Sequence, residues 1–175
     1  EREKLLESCK NSEEPFLYAI VVLALSTGAR KAEILNLTWA DVDLKRKVSV
    51  LHQTKNDERR ALPLAGVALE CVQDLAELRR VDTRLLFPDE SGKKPILIRV
   101  PWKKVLREAG IEDFKFHDLR HSAASYLAMS GASLAEIAEV LGHKTLQMVK
   151  RYSHLSEQHT ASVVSKMNKK IFGGG

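Results

Sequence analysis

Two histidines and an arginine crowd into one short stretch at His117, Arg120 and His121; another histidine follows Gly142 at His143, and a tyrosine, Tyr152, stands nine residues beyond it. Guanidinium groups hold phosphoryl oxygens in a planar fork, imidazoles donate or accept protons near neutral pH, and a phenol can serve as a nucleophile. Cations and imidazoles beside a phenol point to chemistry on phosphate. The stretch from His117 to Tyr152 is therefore the candidate centre, and the other elements have to bring further cations to it.

Composition sets the frame for those elements. The chain has 175 residues, 44% of them hydrophobic, which suits one domain with a real core. Its 28 Lys and Arg against 23 Asp and Glu leave a formal charge of +5, a mild tilt towards a polyanionic partner such as nucleic acid. The two cysteines, Cys9 and Cys71, lie far apart without CxxC or metal-like spacing, so they read as small apolar residues in a reducing compartment. The apolar run Phe16 to Leu25 is roughly half the length a bilayer needs and reads as a buried helix. No secretory pattern is visible, the chain does not begin with Met and is expected to be a fragment, and Gly173–Gly175 reads as a flexible tail.

Along the chain, helices are expected over the first ten residues, from just after Ser12 to Gly28, over Ala29–Leu37, Leu64–Val81, Ile98–Ala109 and Asp118–Ser130. Three more are expected: from the capping box at Ser133–Glu136 to Leu141, from Lys144 towards Tyr152, and from about Glu157 to Ile171. Val48–Leu51 and Arg60–Leu64 read as a β-hairpin with Lys55 at its tip, and Leu85–Phe87 as a short strand. Arg30 opens its helix against the dipole, a placement that either has a functional reason or reflects a surface pair with Glu33. The whole is α+β, mainly α, with one small antiparallel sheet.

Three mechanisms compete. His117 and His121 stand i, i+4 as metal ligands would, but no Glu follows His117 as in HExxH, and Arg120 would set a cation beside the metal. Ser133 to Tyr152 looks like a helix-turn-helix DNA reader with Thr145–Tyr152 as its recognition helix, which leaves Arg30, His117 and Arg120 idle. Phosphoryl transfer from DNA to tyrosine employs them all.

The third reading is also where a resemblance lies. Ser26–Asp43, STGARKAEILNLTWADVD, resembles the first arginine box of the tyrosine recombinases, the phage-integrase family. Thr54-Lys55 resembles the family's hairpin lysine, His117-Asp118-Leu119-Arg120-His121 its HxxRH box, and Leu141-Gly142-His143 with Arg151-Tyr152 its closing box. The four motifs stand in order over about residues 12 to 165.

The resemblance implies the fold of an integrase catalytic domain and a set of roles. Arg30 and Arg120 would clamp the non-bridging oxygens of the scissile phosphate and His143 would add a donor. Tyr152 would attack phosphorus to leave a 3′-phosphotyrosine and a free 5′-hydroxyl. A phenol titrates near 10, so about one in a thousand is ionised at pH 7 and a base is needed; His117 would be that base and Lys55 the acid for the 5′-oxygen. Glu33 would orient Arg30, and His121 would support the site. No cofactor and no metal are expected, and no Walker or GxGxxG pattern is present.

Residues 1–172 would then form a single catalytic domain, without the separate N-terminal DNA-binding domain such proteins usually carry. The partners implied are double-stranded DNA, further copies of the chain as a tetramer on DNA with the segment near Ala161 to Ile171 docking in trans or in cis, and an accessory directionality factor. No membrane partner is expected, and the setting would be the cytoplasm and nucleoid of a prokaryote or its phage. Relaxation of DNA in the manner of a type IB topoisomerase, or a catalytically dead DNA-binding module, are the alternatives.

Overall fold

The computed structural model describes residues 1–53, 58–143 and 145–173 and, within that range, every side chain except those of residues 52, 53, 58 and 156–160. The chain forms two compact units, residues 1–120 and 121–175, and the boundary falls inside one helix just after Arg120.

The first unit is built on a helix with no polar side. Helix α1 (Arg2–Lys10) is followed by α2 (Leu17–Thr27), in which Leu17, Ile20, Val21 and Leu23 are at most 2% exposed. Valine and isoleucine are indifferent helix formers, so tertiary packing decides here; each such side chain contributes roughly 1.5–3 kcal/mol on burial. Both α1 and α4 (Val67–Glu77) pack on α2, while α5 (Arg99–Glu108) packs on α1. On α5, Trp102 and Val105 are buried, and the indole meets the ring of Phe116 edge-on at 5.2 Å between centroids.

Three expectations for this unit are corrected. Helix α2 starts at Leu17 rather than just after Ser12, because Ser12 Oγ accepts from the Glu14 N–H and a Glu14 carboxylate oxygen from the Phe16 N–H. Those local side-chain bonds offer the backbone a turn in place of a helix. Helix α4 is shorter than Leu64–Val81 because Gly66, at φ +51°, caps its start, and Leu78 and Val81 lie exposed beyond its end. Leu85–Phe87 is no strand: it makes one bridge, with the Trp39 N–H donating to Arg84 and the Leu86 N–H to Leu37. Pro88 follows and has no N–H to extend the ladder.

Between α2 and α4 lie a short helix α3 (Lys31–Leu35), a 3₁₀ turn (Trp39–Asp41) and a sheet of order β1-β2-β3. Strand β1 (Val42–Asp43), absent from the sequence reading, pairs antiparallel with β2 (Val48–Gln53), Val42 opposite Ser49. Strand β3 (Glu58–Pro63) pairs with β2 in the register Val48↔Pro63 to Gln53↔Glu58. Alternation then sets Ser49, Leu51, Leu62 and Leu64 inward, all buried. The expected tip lysine, Lys55, lies outside the described residues.

In the second unit, α6 (Asp118–Met129) carries its later turns against α7 (Leu134–Leu141). The core gathers Ala124 and Ala128 from α6 with Ile137, Ala138 and Leu141 from α7, then Val149 and Tyr152. Helix α7 begins on the capping box read from sequence: the Glu136 N–H donates to Ser133 Oγ at 3.2 Å, and the Ser133 N–H donates to the Glu136 carboxylate at 2.7 Å. The α-helix expected from Lys144 towards Tyr152 is instead two 3₁₀ stretches, Leu146–Met148 and Lys150–Ser156. Helix α8 (Glu157–Phe172) closes the unit. Among the described residues no helix is long and apolar enough to cross a membrane.

Candidate active site

Arg30 owes its placement to the two residues before it. Helix α2 ends where Gly28, at φ +62°, donates its N–H back to Ala24, and Thr27 ties down the turn by donating to the Leu23 carbonyl. Only glycine enters that left-handed region without strain. Arg30 follows as the N-cap of α3, its backbone extended (φ −72°, ψ 150°). The Glu33 carboxylate, one turn on, accepts both the Arg30 backbone N–H (2.8 Å) and its guanidinium Nη1 (2.7 Å). The acid thus carries the negative charge that the helix start favours, which answers the cost of an arginine there. The Arg30 side chain remains 41% exposed.

Glu33 has a third donor. Arg60 on β3 reaches Oε2, the oxygen that also accepts the Arg30 N–H, with its Nη2 at 3.1 Å, and both side chains are only 9% exposed. The Nε and Nη1 atoms of Arg60 are buried without an acceptor among the described residues, a burden of about 1–3 kcal/mol for each such donor. Burial pulls the Arg60 guanidinium below its ordinary pKa; Glu33 opposes that shift and the Arg30 charge adds to it. The sequence reading passed over Arg60. A signal for it existed: Arg60 is in phase with Leu62 and Leu64, so alternation puts a cation on the buried face of the strand.

At the start of α6, Arg120 is 4% exposed and its Nη1 donates to the Gly28 carbonyl at 2.7 Å. The same glycine that turns α2 into α3 therefore also seats the second arginine. His117, immediately before α6, is exposed, and its carbonyl accepts the Arg120 N–H.

In the second unit, Gly142 ends α7 at φ +63°. Its N–H donates to Glu139 and the His143 N–H to Ala138, a paired closure that fixes the backbone carrying the half-buried His143. Tyr152 is 6% exposed, its ring packed in the apolar cluster. Its phenol oxygen lies 2.7 Å from Nδ1 of His121, and the Arg151 guanidinium sits 5.6 Å from the ring centroid. The imidazole that meets the phenol is thus His121's, a residue to which the sequence reading gave only a supporting part.

Of the residues singled out from sequence, Arg30, Glu33, His117 and Arg120 belong to the first unit, and His121, His143 and Tyr152 to the second. Arg30 with Glu33, and Tyr152 with His121, are in contact. Chemically, the first unit supplies fixed guanidinium groups that suit an anion, and the second a phenol within hydrogen-bond distance of an imidazole nitrogen.

Comparison with known proteins bears on that arrangement. The sequence model of the phage integrase family matches residues 1–159. The integrase of Salmonella phage P22 is 32% identical over 99% of this chain and 46% of its own length. A shufflon-specific DNA recombinase of Escherichia coli is 36% identical over 79% of the chain and 35% of its own length, so the chain spans about half or less of these relatives. Among solved structures, the catalytic domain of bacteriophage HP1 integrase superposes with a TM-score of 0.73 at 28% identity, covering 99% of this chain and 94% of that one. XerH, a site-specific recombinase bound to a palindromic difH substrate in a post-cleavage complex, gives 0.74 at 26% identity, covering 93% of this chain and 50% of that one.

Proposed function

The chain belongs to the phage integrase family, and from that premise we propose that it is the catalytic domain of a site-specific tyrosine recombinase that cuts and rejoins double-stranded DNA. The observation that carries the reading is the Tyr152 phenol set 2.7 Å from an imidazole nitrogen, in the motif where the family resemblance puts the nucleophile. Tyr152 attacks the scissile phosphorus, the bond to the 5′-oxygen breaks, and the DNA is left with a 3′-phosphotyrosine and a 5′-hydroxyl. The phosphotyrosine ester keeps the bond energy, so attack by another 5′-hydroxyl reseals the strand without ATP.

Each residue has a share in that step. Arg30 and Arg120 hold the non-bridging oxygens, and His143 adds a donor; fixed donors aimed at growing charge lower the barrier without reorganisation. Lys55 protonates the departing 5′-oxygen. Glu33 orients Arg30, which the two bonds between them support. The proton of Tyr152 goes to His117 on the family resemblance. A second reading gives it to His121, favoured by the contact in hand. Single-turnover cleavage separates them: loss of the true base costs on the order of 10²–10⁴ in rate, so whichever of His117→Ala and His121→Ala falls that far names it.

The buried phenol implies a movement. At 6% exposure Tyr152 has to move before it reaches a phosphorus, and bound DNA would favour the exposed form of the nucleophile. Partner copies belong to the same reading. Helix α8 leaves Val163, Val164, Met167, Ile171 and Phe172 each 47–78% exposed, an apolar series suited to docking on a neighbouring copy in a tetramer on DNA. Sedimentation with and without DNA tests it, since a monomer under both conditions removes the docking in trans. A directionality factor and a place in the prokaryotic cytoplasm complete the proposal. The same domain in isolation binds DNA weakly, and site-selective nanomolar binding by these residues alone would overturn that.

A further inference from the structure

Glu33 presents a problem for the arginine it holds. A carboxylate 2.7 Å from Arg30 fixes the guanidinium but also cancels most of its charge at a phosphate beyond it. A second cation on the other oxygen of the same carboxylate relieves that conflict, and Arg60 is there, 3.1 Å from Oε2 with its side chain only 9% exposed. The three groups keep one net positive charge; without Arg60 they keep none.

We propose that Arg60 is a positioning residue for Arg30: it takes up charge of the Glu33 carboxylate, so that Glu33 can hold Arg30 in place without neutralising it. The inference rests on the reading of Arg30 as a phosphate clamp and goes beyond it, since Arg60, its side chain 9% exposed, would act through Glu33. A bland alternative is that Arg60 merely staples β3 to the start of α3. The geometry argues against a staple. Two of its donors, Nε and Nη1, are buried without acceptors among the described residues, and an apolar side chain beside Leu62 would fill the same place without that burden. What an apolar residue could not supply is the charge. Position 60 breaks the local rule for a buried strand face, and such breaks concentrate where function needs them.

The test exploits the charge on the scissile phosphate. Nicked duplexes are made with either an ordinary phosphate or a methylphosphonate at the cleaved position, the latter replacing one non-bridging oxygen by a neutral methyl group. The single-turnover rate of covalent adduct formation is then measured for wild type, Arg30→Ala, Arg60→Met, Arg60→Lys and the double variant Arg60→Met/Glu33→Gln. Arg60→Met is expected to slow cleavage of the phosphate on the order of 10–100-fold relative to wild type, with the defect shrinking to within about 3-fold on the neutral substrate. Arg60→Lys, which keeps the charge, retains most of the rate. Adding Glu33→Gln to Arg60→Met recovers about 10-fold, because removing the carboxylate restores the net charge while the amide oxygen still accepts from Arg30.

Equal slowing of both substrates by Arg60→Met, or no recovery on adding Glu33→Gln, would leave Arg60 a staple and overturn the proposal. So would a loss in Arg60→Lys as large as in Arg60→Met, a comparison that holds even where the methionine variant folds poorly. Arg30→Ala reports on the underlying reading separately. If its own defect does not shrink on the neutral substrate, Arg30 is no clamp, and the proposal falls with that reading and not through Arg60.

Discussion

Replacing Arg120 by Met separates a catalytic arginine from a structural one. The side chain is 4% exposed and donates to the Gly28 carbonyl at 2.7 Å, so a purely structural role, as a latch on the α2–α3 turn, is a fair competitor. The loss of that one bond can be sized. A charge-assisted hydrogen bond is worth about 1.5–3 kcal/mol, and the Gly28 carbonyl is left unpaired in a buried setting. Against that, methionine fills much of the volume, and a buried guanidinium no longer has to be desolvated. For that contact the net is about 1–2 kcal/mol, a fall in Tm of roughly 2–8 °C for a chain of this size. Domains commonly have about 5–15 kcal/mol in hand, so the variant stays folded.

The catalytic loss is of another order. Removing one fixed donor to a developing oxyanion typically costs about 10²–10³ in rate, equivalent to about 2.7–4 kcal/mol. Urea melts and single-turnover cleavage at saturating protein, run on the same preparation, should therefore diverge. A cleavage rate within about 10-fold of wild type would show that Arg120 only latches Gly28. Recovery of full rate at higher protein concentration would show a binding residue, and either result refutes the clamp.

Other perturbations follow from single contacts. Burial pushes the Cys9 thiol up to about 12, so the stability from keeping it protonated is whole below pH ~9 and lost as pH rises, by about 1.4 kcal/mol per pH unit. Urea melts between pH ~9 and ~10.5 should lose that slope in Cys9→Ala; an unchanged slope contradicts the burial argument. Ser133→Ala removes the cap of α7 and should cost about 1 kcal/mol in a denaturant melt. The Ser133 hydroxyl and N–H hold the Glu136 carboxyl below its usual range, so the box's contribution is present above that range and fades as acid protonates Glu136. Ile137→Ala empties a fully buried position in the cluster that packs Tyr152 and should cost about 2–5 kcal/mol in a denaturant melt; a loss under about 1 kcal/mol would contradict the packing.

The sequence was readable where one signal decides the outcome. The all-apolar run of α2, the spacing of Trp102 and Val105 on α5 and the Ser133–Glu136 box each specify a helix locally, and the structure has them. It was unreadable where short-range and tertiary terms compete. Ser12 and Glu14 look like a helix start, yet their side chains bond the backbone into a turn. From Thr145 to Tyr152 the pattern suits a recognition helix, but the chain winds as 3₁₀ turns while it buries Val149 and Tyr152. Within the candidate site, motif residues stood out by type and spacing. Arg60 did not, since its meaning depends on Glu33, 27 positions away, and the pairing of Tyr152 with His121 spans 31.

The central claim is that Tyr152 becomes covalently joined to DNA. The direct measurement incubates the chain with a randomised pool of nicked duplexes in EDTA, captures adducts that survive detergent, and locates the nucleotide by mass spectrometry. Adducts are expected for wild type with the DNA 3′-end on Tyr152, and none for Tyr152→Phe. Adducts that persist in Tyr152→Phe, a nucleotide on any other residue, or no wild-type adduct under conditions where DNA is bound would contradict it.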